Sequence, residues 1–222
     1  MTDPTKNQAP ADLFIVSSPS GGGKTTLINQ TIARFRKQGI ELYFSVSHTT
    51  RTPRSGEEQG REYHFVDRPK FEAMIAEDGF LEHATVHDNQ YGTSRQPVVD
   101  SVDRGIDVIL DIDVQGARMV KTKWRGHEPV KIFVFPPSYE ELKRRLQQRG
   151  LDDPAVIERR LRNAGREFAE YGEYNHVIIN DDLERAVREL ESIIISRRIR
   201  PDRQQIRLDF IVGQFQKHFA DR

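Results

Sequence analysis

The sequence contains no cysteine. This absence excludes disulfide bonds, zinc sites built on thiolates, iron–sulfur clusters and a cysteine nucleophile, and it is compatible with the cytoplasmic location that we expect. No run of about 18 apolar residues occurs, and the segment from Met1 to Lys6 lacks a basic region that leads into an apolar stretch. We therefore expect a soluble protein without an export signal or a membrane-spanning segment.

A net charge is missing as well, because 34 Lys and Arg residues balance 34 Asp and Glu residues. No overall field attracts nucleic acid or an anionic membrane, so we expect neither as a partner. An anionic ligand has to be bound by local clusters of arginine and lysine, which a chain with 31% charged residues can supply. The seven histidines show no spacing typical of a metal site.

The 222 residues suit one globular domain with a small inserted lobe. Short apolar runs such as Leu13 to Val16 and Val108 to Leu110 alternate with amphipathic stretches. This alternation predicts an α/β fold in which helices flank a mostly parallel sheet.

The end of the sequence predicts a separate helix. After the proline at position 201, apolar residues recur at helical spacing, namely Leu208, Ile211, Phe215 and Phe219. We expect this stripe to pack on the domain, and packing on a second subunit is the alternative. The sequence leaves monomer and homo-oligomer open.

A glycine-rich segment follows the first apolar run and leads into a predicted helix: Ser18-Pro19-Ser20-Gly21-Gly22-Gly23-Lys24-Thr25-Thr26. Glycines let backbone N–H groups converge on phosphate oxygens, and the helix N-terminus adds its dipole. Lys24 would reach the β- and γ-phosphates of a nucleotide, and the Thr25 hydroxyl would bind Mg²⁺. Ser18 replaces a glycine of the phosphate-loop pattern, which is tolerated if its backbone angles suit a non-glycine residue. The alternative is a flexible glycine turn with a chance lysine.

A second basic segment, Ser47 to Glu57, places Arg51 and Arg54 on either side of a proline. Two guanidinium groups there could bind another phosphate bidentately, with hydroxyl donors from Ser47 and Tyr63. For this segment alone, a solvated basic loop is the more common explanation.

Further motifs follow in a fixed order: Gly60 with Tyr63 and Phe65, then Glu82, Tyr91-Gly92-Thr93, and Ile109-Leu110-Asp111-Ile112-Asp113-Val114-Gln115-Gly116. With the phosphate loop, this set resembles guanylate kinase from about residue 13 to 195. The resemblance implies a phosphate-loop NTPase fold with a small β-rich lobe for the acceptor nucleotide and a helical lid. It implies phosphorylation of GMP, and also of dGMP, by ATP with Mg²⁺ in purine nucleotide metabolism.

The sequence also divides into three parts. Pro4, Pro10 and their polar neighbours predict a disordered leader at 1–11, the resemblance implies a guanylate-kinase-like domain at 12–205, and helical spacing near the end predicts a helical extension at 206–222. Within the domain we expect a core at 12–46, 94–138 and 168–200, a GMP-binding lobe at about 47–93, and a lid at about 139–167.

Roles for single residues follow from the same resemblance. The acceptor phosphate and its loop correspond to Ser47, Arg51, Arg54, Glu57, Tyr63 and Tyr91. Glu82 faces the guanine edge, where a carboxylate can accept hydrogen bonds from N1–H and from the exocyclic amino group. Thr93 supplies a hydroxyl near the base, and Asp113 is a further acid close by.

Asp111 and Asp113 follow an apolar strand at the edge where open α/β sheets bind ligands. Because residues two apart on a strand point the same way, we expect both carboxylates on one face. They resemble the acidic strand end that supports Mg²⁺, so we expect the metal at Thr25 and Asp111. Which aspartate serves the metal and which serves the acceptor stays open.

Arg145, Arg149 and Arg160 match arginines of the family's lid, which close over the transferring phosphoryl group. The catalytic residues that the resemblance implies are Lys24, Arg51, Arg145, Arg149 and Arg160. Asn180 matches a strand-end residue near the adenine of ATP, while an Asx turn or a helix cap would explain it nearly as well.

Two other functions stay open. A non-catalytic module of the same fold would bind peptide partners, but such a module has no use for intact Lys24, Thr25 and lid arginines. A sugar-phosphate kinase of the same fold is the nearest rival among enzymes. The segments around Arg51, Glu82 and Tyr91 favour a guanine nucleotide over a sugar phosphate.

Overall fold

The computed structural model describes residues 11–86, 88–148 and 153–220. The strands are β1 Leu13–Ser17, β2 Leu42–Phe44, β3 His48–Thr49, β4 His64–Phe65, β5 Phe80–Val86, β6 Asn89–Ser94, β7 Asp107–Asp111, β8 Val130–Phe135 and β9 His176–Ile179. The helices are α1 Lys24–Lys37, α2 Arg68–Ala76, α3 Arg95–Asp103, α4 Val114–Lys123, α5 Tyr139–Gln148, α6 Pro154–Phe168, α7 Leu183–Arg198 and α8 Pro201–Ala220, with a 3-10 helix at Ala169–Glu173.

The larger sheet is parallel and has the strand order β2-β7-β1-β8-β9. Its central strand β1 is buried along its whole length, because helices cover both faces of such a sheet. Phe14 and Val16 pack with α1 and α7 on one face, while Leu13 and Ile15 pack with α3 and α4 on the other. The expected α/β architecture, a mostly parallel sheet flanked by helices, is therefore confirmed.

The smaller sheet has the order β4-β3-β6-β5 and is built around the hairpin of β5 and β6. The chain reverses between β5 and β6 at Asp88, whose φ of 64° lies in the left-handed region. Phe80 stacks on Phe71 of α2 with ring centroids 4.5 Å apart. A Cβ at Gly92 would lie 2.9 Å from the Phe80 ring, so this position needs glycine.

The carboxyl ends of the parallel strands carry the segments that the sequence singled out. The glycine-rich segment follows β1, Asp111 ends β7, and Asn180 follows β9. Parallel strands end at one edge of the sheet, where α/β proteins bind ligands. The fold therefore brings residues from distant parts of the chain to one place.

The opposite edge holds a buried ion-pair network. Asp12 is 4% exposed and Asp107 is fully buried, and the backbone N–H of Asp12 donates to Asp107 at 2.9 Å. Arg197 and Arg198, at the end of α7, donate to Asp12 at 2.6 Å and to Asp107 at 2.5 Å. Arg203 of α8 donates to both carboxylates, at 3.0 and 2.9 Å. The first turn of α8 is thereby fastened to the sheet.

The predicted C-terminal helix is present as α8, but its expected packing on the domain is wrong. Leu208 and Ile211 are 40% and 39% exposed, and Phe215 and Phe219 are 63% and 64% exposed. After the turn that Arg203 anchors, the apolar stripe of the helix stays exposed. Among the described residues, no helix has both the length and the apolar character needed to cross a membrane.

We expect Asp107→Ala to lower the free energy of unfolding by about 3 to 5 kcal/mol, because it leaves Arg198 and Arg203 without their buried partner. The control is Asp103→Ala, at the exposed end of α3, for which we expect a change below about 0.5 kcal/mol. Urea titrations of the three proteins measure both effects. Equal losses in the two variants would contradict a special role of the buried network.

Candidate active site

The loop between β1 and α1 has the backbone that phosphate binding requires. Gly21 and Gly23 have φ values of 92° and 88°, in the left-handed region that favours glycine. At Gly22, a Cβ would lie 1.7 Å from the hydroxyl oxygen of Ser18. Among the described residues, positive φ outside glycine occurs only at Asp78 and Asp88. The serine at position 18 therefore meets the condition under which it can replace glycine.

The first turn of α1 meets the end of β7 through Asp111. Its carboxylate lies 2.7 Å from the Nζ of Lys24 and accepts a hydrogen bond from the hydroxyl of Thr25 at 3.1 Å. The Nζ of Lys24 also donates to the carbonyl of Ile112 at 3.0 Å. The predicted phosphate-binding lysine and the predicted metal ligands are thus brought together.

The pair of Thr25 and Asp111 fits a magnesium ion in its chemistry, because a hydroxyl and a carboxylate oxygen are hard ligands held side by side. Across the described ranges, no group of three or more His, Cys, Asp or Glu side chains could hold a metal by itself. A cation at this pair would therefore take most of its ligands from nucleotide phosphates and water.

Asp113 departs from the expected arrangement. The strand ends at Asp111, and Asp113 is the N-cap of α4, where its carboxylate accepts from the backbone N–H of Gly116 at 2.8 Å. The expected alternation along one strand face does not hold beyond Asp111. A capping bond satisfies one of the helix's unpaired amides, so the observed contact of Asp113 stabilises the start of α4.

Asn180 and Arg145 enclose the glycine loop from the other side. The buried Asn180 side chain donates to the carbonyl of Gly22 at 3.1 Å, and Arg145 donates to the carbonyl of Asn180 at 3.0 Å. Glu141 holds the Arg145 guanidinium at 2.7 Å. An open cavity of about 390 Å³ lies against the loop and is lined by Gly21, Gly23, Thr26, Arg145, Gln148, Asn180, Asp181 and Leu183. Of the alternatives for Asn180, the helix cap is excluded, because Asp182 caps α7.

The other two predicted lid arginines are not seen at this cavity. Arg160 lies half-buried in α6, and Arg149 lies outside the described residues.

The second arginine segment forms a closed loop around Glu57. Arg51 donates to both oxygens of the Glu57 carboxylate at 2.9 Å, and the backbone N–H of Arg54 donates to it at 2.8 Å. The guanidinium of Arg51 also lies 5.5 Å from the ring of Tyr63. The hydrogen bond from Arg51 lowers the pKa of Glu57. The loop is therefore ordered, and a simple solvated turn does not describe it.

The small sheet places the remaining predicted acceptor residues around this loop. The rings of Tyr63 and Tyr91 lie 5.7 Å apart, edge to face. Ser47 is half-buried just before β3, and its carbonyl accepts from His64 at 2.9 Å. Arg54 is exposed on the same loop.

Glu82 is a buried carboxylate between the two sheets. Glu82 is 6% exposed. Its carboxylate accepts a hydrogen bond of 2.6 Å from the hydroxyl of Thr93, the residue opposite it on the neighbouring strand. Gly116 at the start of α4 approaches so closely that a Cβ there would lie 3.1 Å from Glu82 Oε2. Burial is the main cause that raises the pKa of Glu82 to about 7, and the charge of Asp113 contributes.

Sequence reasoning missed some polar residues close to this centre. Glu167 near the end of α6 is half-buried, and burial together with the charge of Asp113 raises its pKa. The hydroxyls of Ser17 and Tyr174 are buried, and within the described residues they have no hydrogen-bond partner of ordinary geometry. These residues belong to no recognised motif, and only the fold brings them near Lys24 and Asp113.

The chain matches the model of one protein family, described as guanylate kinase, over residues 11–197. It belongs to the guanylate kinase family. The guanylate kinase of Alkalilimnicola ehrlichii is 49% identical over 88% of this chain and 94% of that protein. The guanylate kinase of Thiobacillus denitrificans is 43% identical over 98% of this chain and 100% of that protein. A crystal structure of guanylate kinase from Anaplasma phagocytophilum superimposes with a TM-score of 0.70 at 32% identity, over 88% and 90% of the two chains.

Membership of the guanylate kinase family confirms the resemblance that the motifs indicated, and with it the phosphate-loop NTPase fold. The family match ends at residue 197, so α8 lies beyond it. The roles of single residues in the guanylate kinase site stay predictions.

We expect the free energy of unfolding of the protein to depend on pH through the titration of Glu82. Between its ordinary pKa of 4.5 and its folded pKa of about 7, the folded state holds a proton that the unfolded state has lost. Stability from this group is therefore present below about pH 4.5 and is lost as the pH rises through 7, by about 3 kcal/mol.

Glu82→Gln cannot titrate at this position. In denaturant unfolding at pH 4.5 to 8, the free energy of unfolding of wild type should fall by this amount relative to that of the variant. A constant difference would contradict the raised pKa.

Proposed function

We propose that this chain transfers the terminal phosphoryl group of ATP to GMP and releases ADP and GDP. The observation that carries the proposal is the buried Glu82, hydrogen-bonded to Thr93 and packed against α4. Thr93 lies on β6, the strand that also carries Tyr91 of the expected acceptor site. The names of the relatives support the same reaction. We further propose that dGMP is accepted, and that the enzyme serves purine nucleotide metabolism in the cytoplasm.

The donor nucleotide would lie along the glycine loop. Gly21 to Thr26 present backbone N–H groups at the start of α1, and Lys24 supplies a positive charge to the β- and γ-phosphates. The cavity beside Asn180 would take the adenine. Thr25 and Asp111 would hold Mg²⁺, which neutralises phosphate charge when bound.

The acceptor phosphate would be bound by the loop that Glu57 orders. Arg51 is held there by a carboxylate and an aromatic ring, so its remaining N–H groups have a fixed direction. Arg54 and the hydroxyls of Ser47, Tyr63 and Tyr91 would complete the set of donors. A prearranged set of donors lowers the cost of ordering them when the phosphate binds.

The reaction needs no general base. The phosphate group of GMP is largely dianionic at neutral pH, so the attacking oxygen carries no proton that must be removed. Catalysis would rest on alignment of the two nucleotides and on positive charge from Lys24, Arg51 and Arg145. The contacts of Arg145 with Glu141 and with the glycine loop support this role.

Guanine recognition would depend on the ionised form of Glu82. A carboxylate accepts from the N1–H and the exocyclic amino group of guanine together, and adenine offers no matching pair of donors. The competing function, a peptide-binding module without catalysis, gives no reason for the Lys24, Thr25 and Asp111 cluster.

We expect Lys24→Ala to lower turnover at least ~100-fold while the fold is retained, because the change removes a charge that stabilises the transition state. Lys37→Ala, at the exposed end of α1, is the matched control and should keep wild-type turnover. Steady-state ADP release measures both. Near-normal turnover of Lys24→Ala would overturn the ATP site.

We expect wild type to prefer GMP over AMP by about 10⁴-fold in kcat/KM, because AMP leaves the buried carboxylate of Glu82 without hydrogen-bond donors. Glu82→Gln should lose activity with GMP and change little with AMP, because its amide N–H₂ meets a guanine donor. Glu77→Gln, at the exposed end of α2, serves as the control.

The experiment that tests the function is a coupled ADP-release assay with GMP, dGMP, AMP, UMP and ribose bisphosphate as separate acceptors. We expect turnover with GMP and dGMP only. Turnover with ribose bisphosphate would instead favour the sugar-phosphate kinase, and no turnover with any acceptor would favour the binding module.

A further inference from the structure

A polar cluster joins the turn between α2 and β5 to two helices that flank the larger sheet. Arg95, at the start of α3, donates to the carbonyl of Asp78 at 3.1 Å and to its carboxylate at 2.7 Å. Lys123, at the end of α4, donates to the same carboxylate at 3.1 Å and to the carbonyl of Phe80 at 3.1 Å. Arg95 also donates to the carbonyl of Lys123 at 3.3 Å. We call Asp78, Arg95 and Lys123 the junction cluster.

The junction cluster spans the expected boundary between the GMP-binding lobe and the core. Asp78 and Phe80 belong to the expected lobe, whereas Arg95 and Lys123 belong to helices of the core. The backbone N–H of Arg95 also donates to the carbonyl of Gly79 at 2.8 Å. Three successive carbonyls at the start of β5 are therefore bonded to the core.

Strand β5 contains a bulge at the place where the cluster holds it. Phe80 pairs with Ser94 and Glu82 pairs with Thr93, so Leu81 is an extra residue opposite two adjacent partners. A bulge bends its strand and changes the direction of the side chains that follow it. The direction of the Glu82 side chain therefore depends on how the bulge is held.

Helix α4 contacts β5 at two separate points. Near the start of the helix, a Cβ at Gly116 would lie 3.1 Å from Glu82 Oε2. At its end, about 10 Å further along the axis, Lys123 holds the carbonyl of Phe80. Without the contact at Lys123, the start of β5 could shift along α4, and Glu82 would move with it.

The ion pairs of the junction cluster contribute little to folding stability. The side chain of Asp78 is 68% exposed, and ion pairs between groups so exposed to water are weak. The turn itself does not need a carboxylate, because its φ of 50° is a conformation that glycine adopts at no steric cost. The cluster is therefore better suited to hold a geometry than to stabilise the fold.

We propose that Lys123 is a positioning residue for guanine recognition: with Arg95 and Asp78, it holds the β5 bulge so that Glu82 faces the base. The inference rests on the proposed function and extends it to a residue at the end of α4 remote from the phosphate loop. Lys123 acts through the position of Glu82, so its loss weakens binding of GMP and leaves the ATP site intact. A loss of ground-state binding raises KM with little effect on kcat.

The test compares two lysines in the last turn of α4. Lys123→Met removes the ammonium group and keeps a long side chain, and Lys121→Met makes the same change at an exposed position. Both variants lose a favourable charge at the helix C-terminus, so they differ in the contacts with β5. We expect Lys123→Met to raise the KM for GMP roughly tenfold, with kcat and the KM for ATP within about twofold of wild type. Lys121→Met should match wild type in all three quantities.

Lys123→Arg is the conservative variant, because it keeps a donor for the carbonyl of Phe80 and a positive charge for Asp78. Its KM for GMP should stay within about threefold of wild type. Equal KM values for GMP in Lys123→Met and Lys121→Met would overturn the proposal. An equal rise in the KM values for GMP and ATP would overturn it as well, because it would show a general loss of structure.

The position of Glu82 can also be measured without a nucleotide. Its carboxyl resonance in isotope-labelled protein is identified by its absence from Glu82→Gln. Because burial raises the pKa of Glu82 to about 7, a shift of the strand toward water should lower the pKa toward 4.5 in Lys123→Met and not in Lys121→Met.

An unchanged titration of Glu82 in Lys123→Met would overturn the positioning role, whatever the acceptor is. A wild type that leaves GMP unphosphorylated would contradict the proposed function instead, and the titration would still decide whether Lys123 positions Glu82.

Discussion

The contact of Lys24 and Thr25 with Asp111 is the constraint on which the site depends. It joins the first turn of α1 to the end of β7, two elements separated by most of the chain's first half. The contact requires that β1 and β7 be neighbours in register, which their buried apolar residues ensure. The packing of β1 against β7 therefore also determines where the charges of Lys24 and Asp111 meet.

Charge is handled differently at the two edges of this sheet. At the base, Asp12 and Asp107 are buried, and arginines from two helices compensate them. At the ligand edge, Asp111 stays partly accessible and shares its oxygens between an ammonium and a hydroxyl. A fully compensated network suits a fixed joint. An accessible cluster can exchange its partners when an anion binds.

Sequence patterns located β1, β7, the helix after the glycine loop and the C-terminal helix, because buried runs and helical periodicity are local signals. The hairpin of β5 and β6 inside the expected β-rich lobe carries no clear sequence signal, since its reversal depends on a left-handed Asp88 and no Gly-containing turn marks it. Phosphate-loop residues were predicted from spacing alone. Neither the capping contact of Asp113 nor the approach of Glu167 could be predicted, because both depend on how separate elements pack.

The close approach of Ser18 and Gly22 links two positions of the glycine loop. The serine hydroxyl fills the space that a side chain at Gly22 would need, and the two atoms would be 1.7 Å apart. The steric effect of a substitution at one of these positions therefore depends on the residue at the other. Position 22 can therefore gain a methyl group only if the hydroxyl at position 18 rotates away or is lost, or if the loop takes another path.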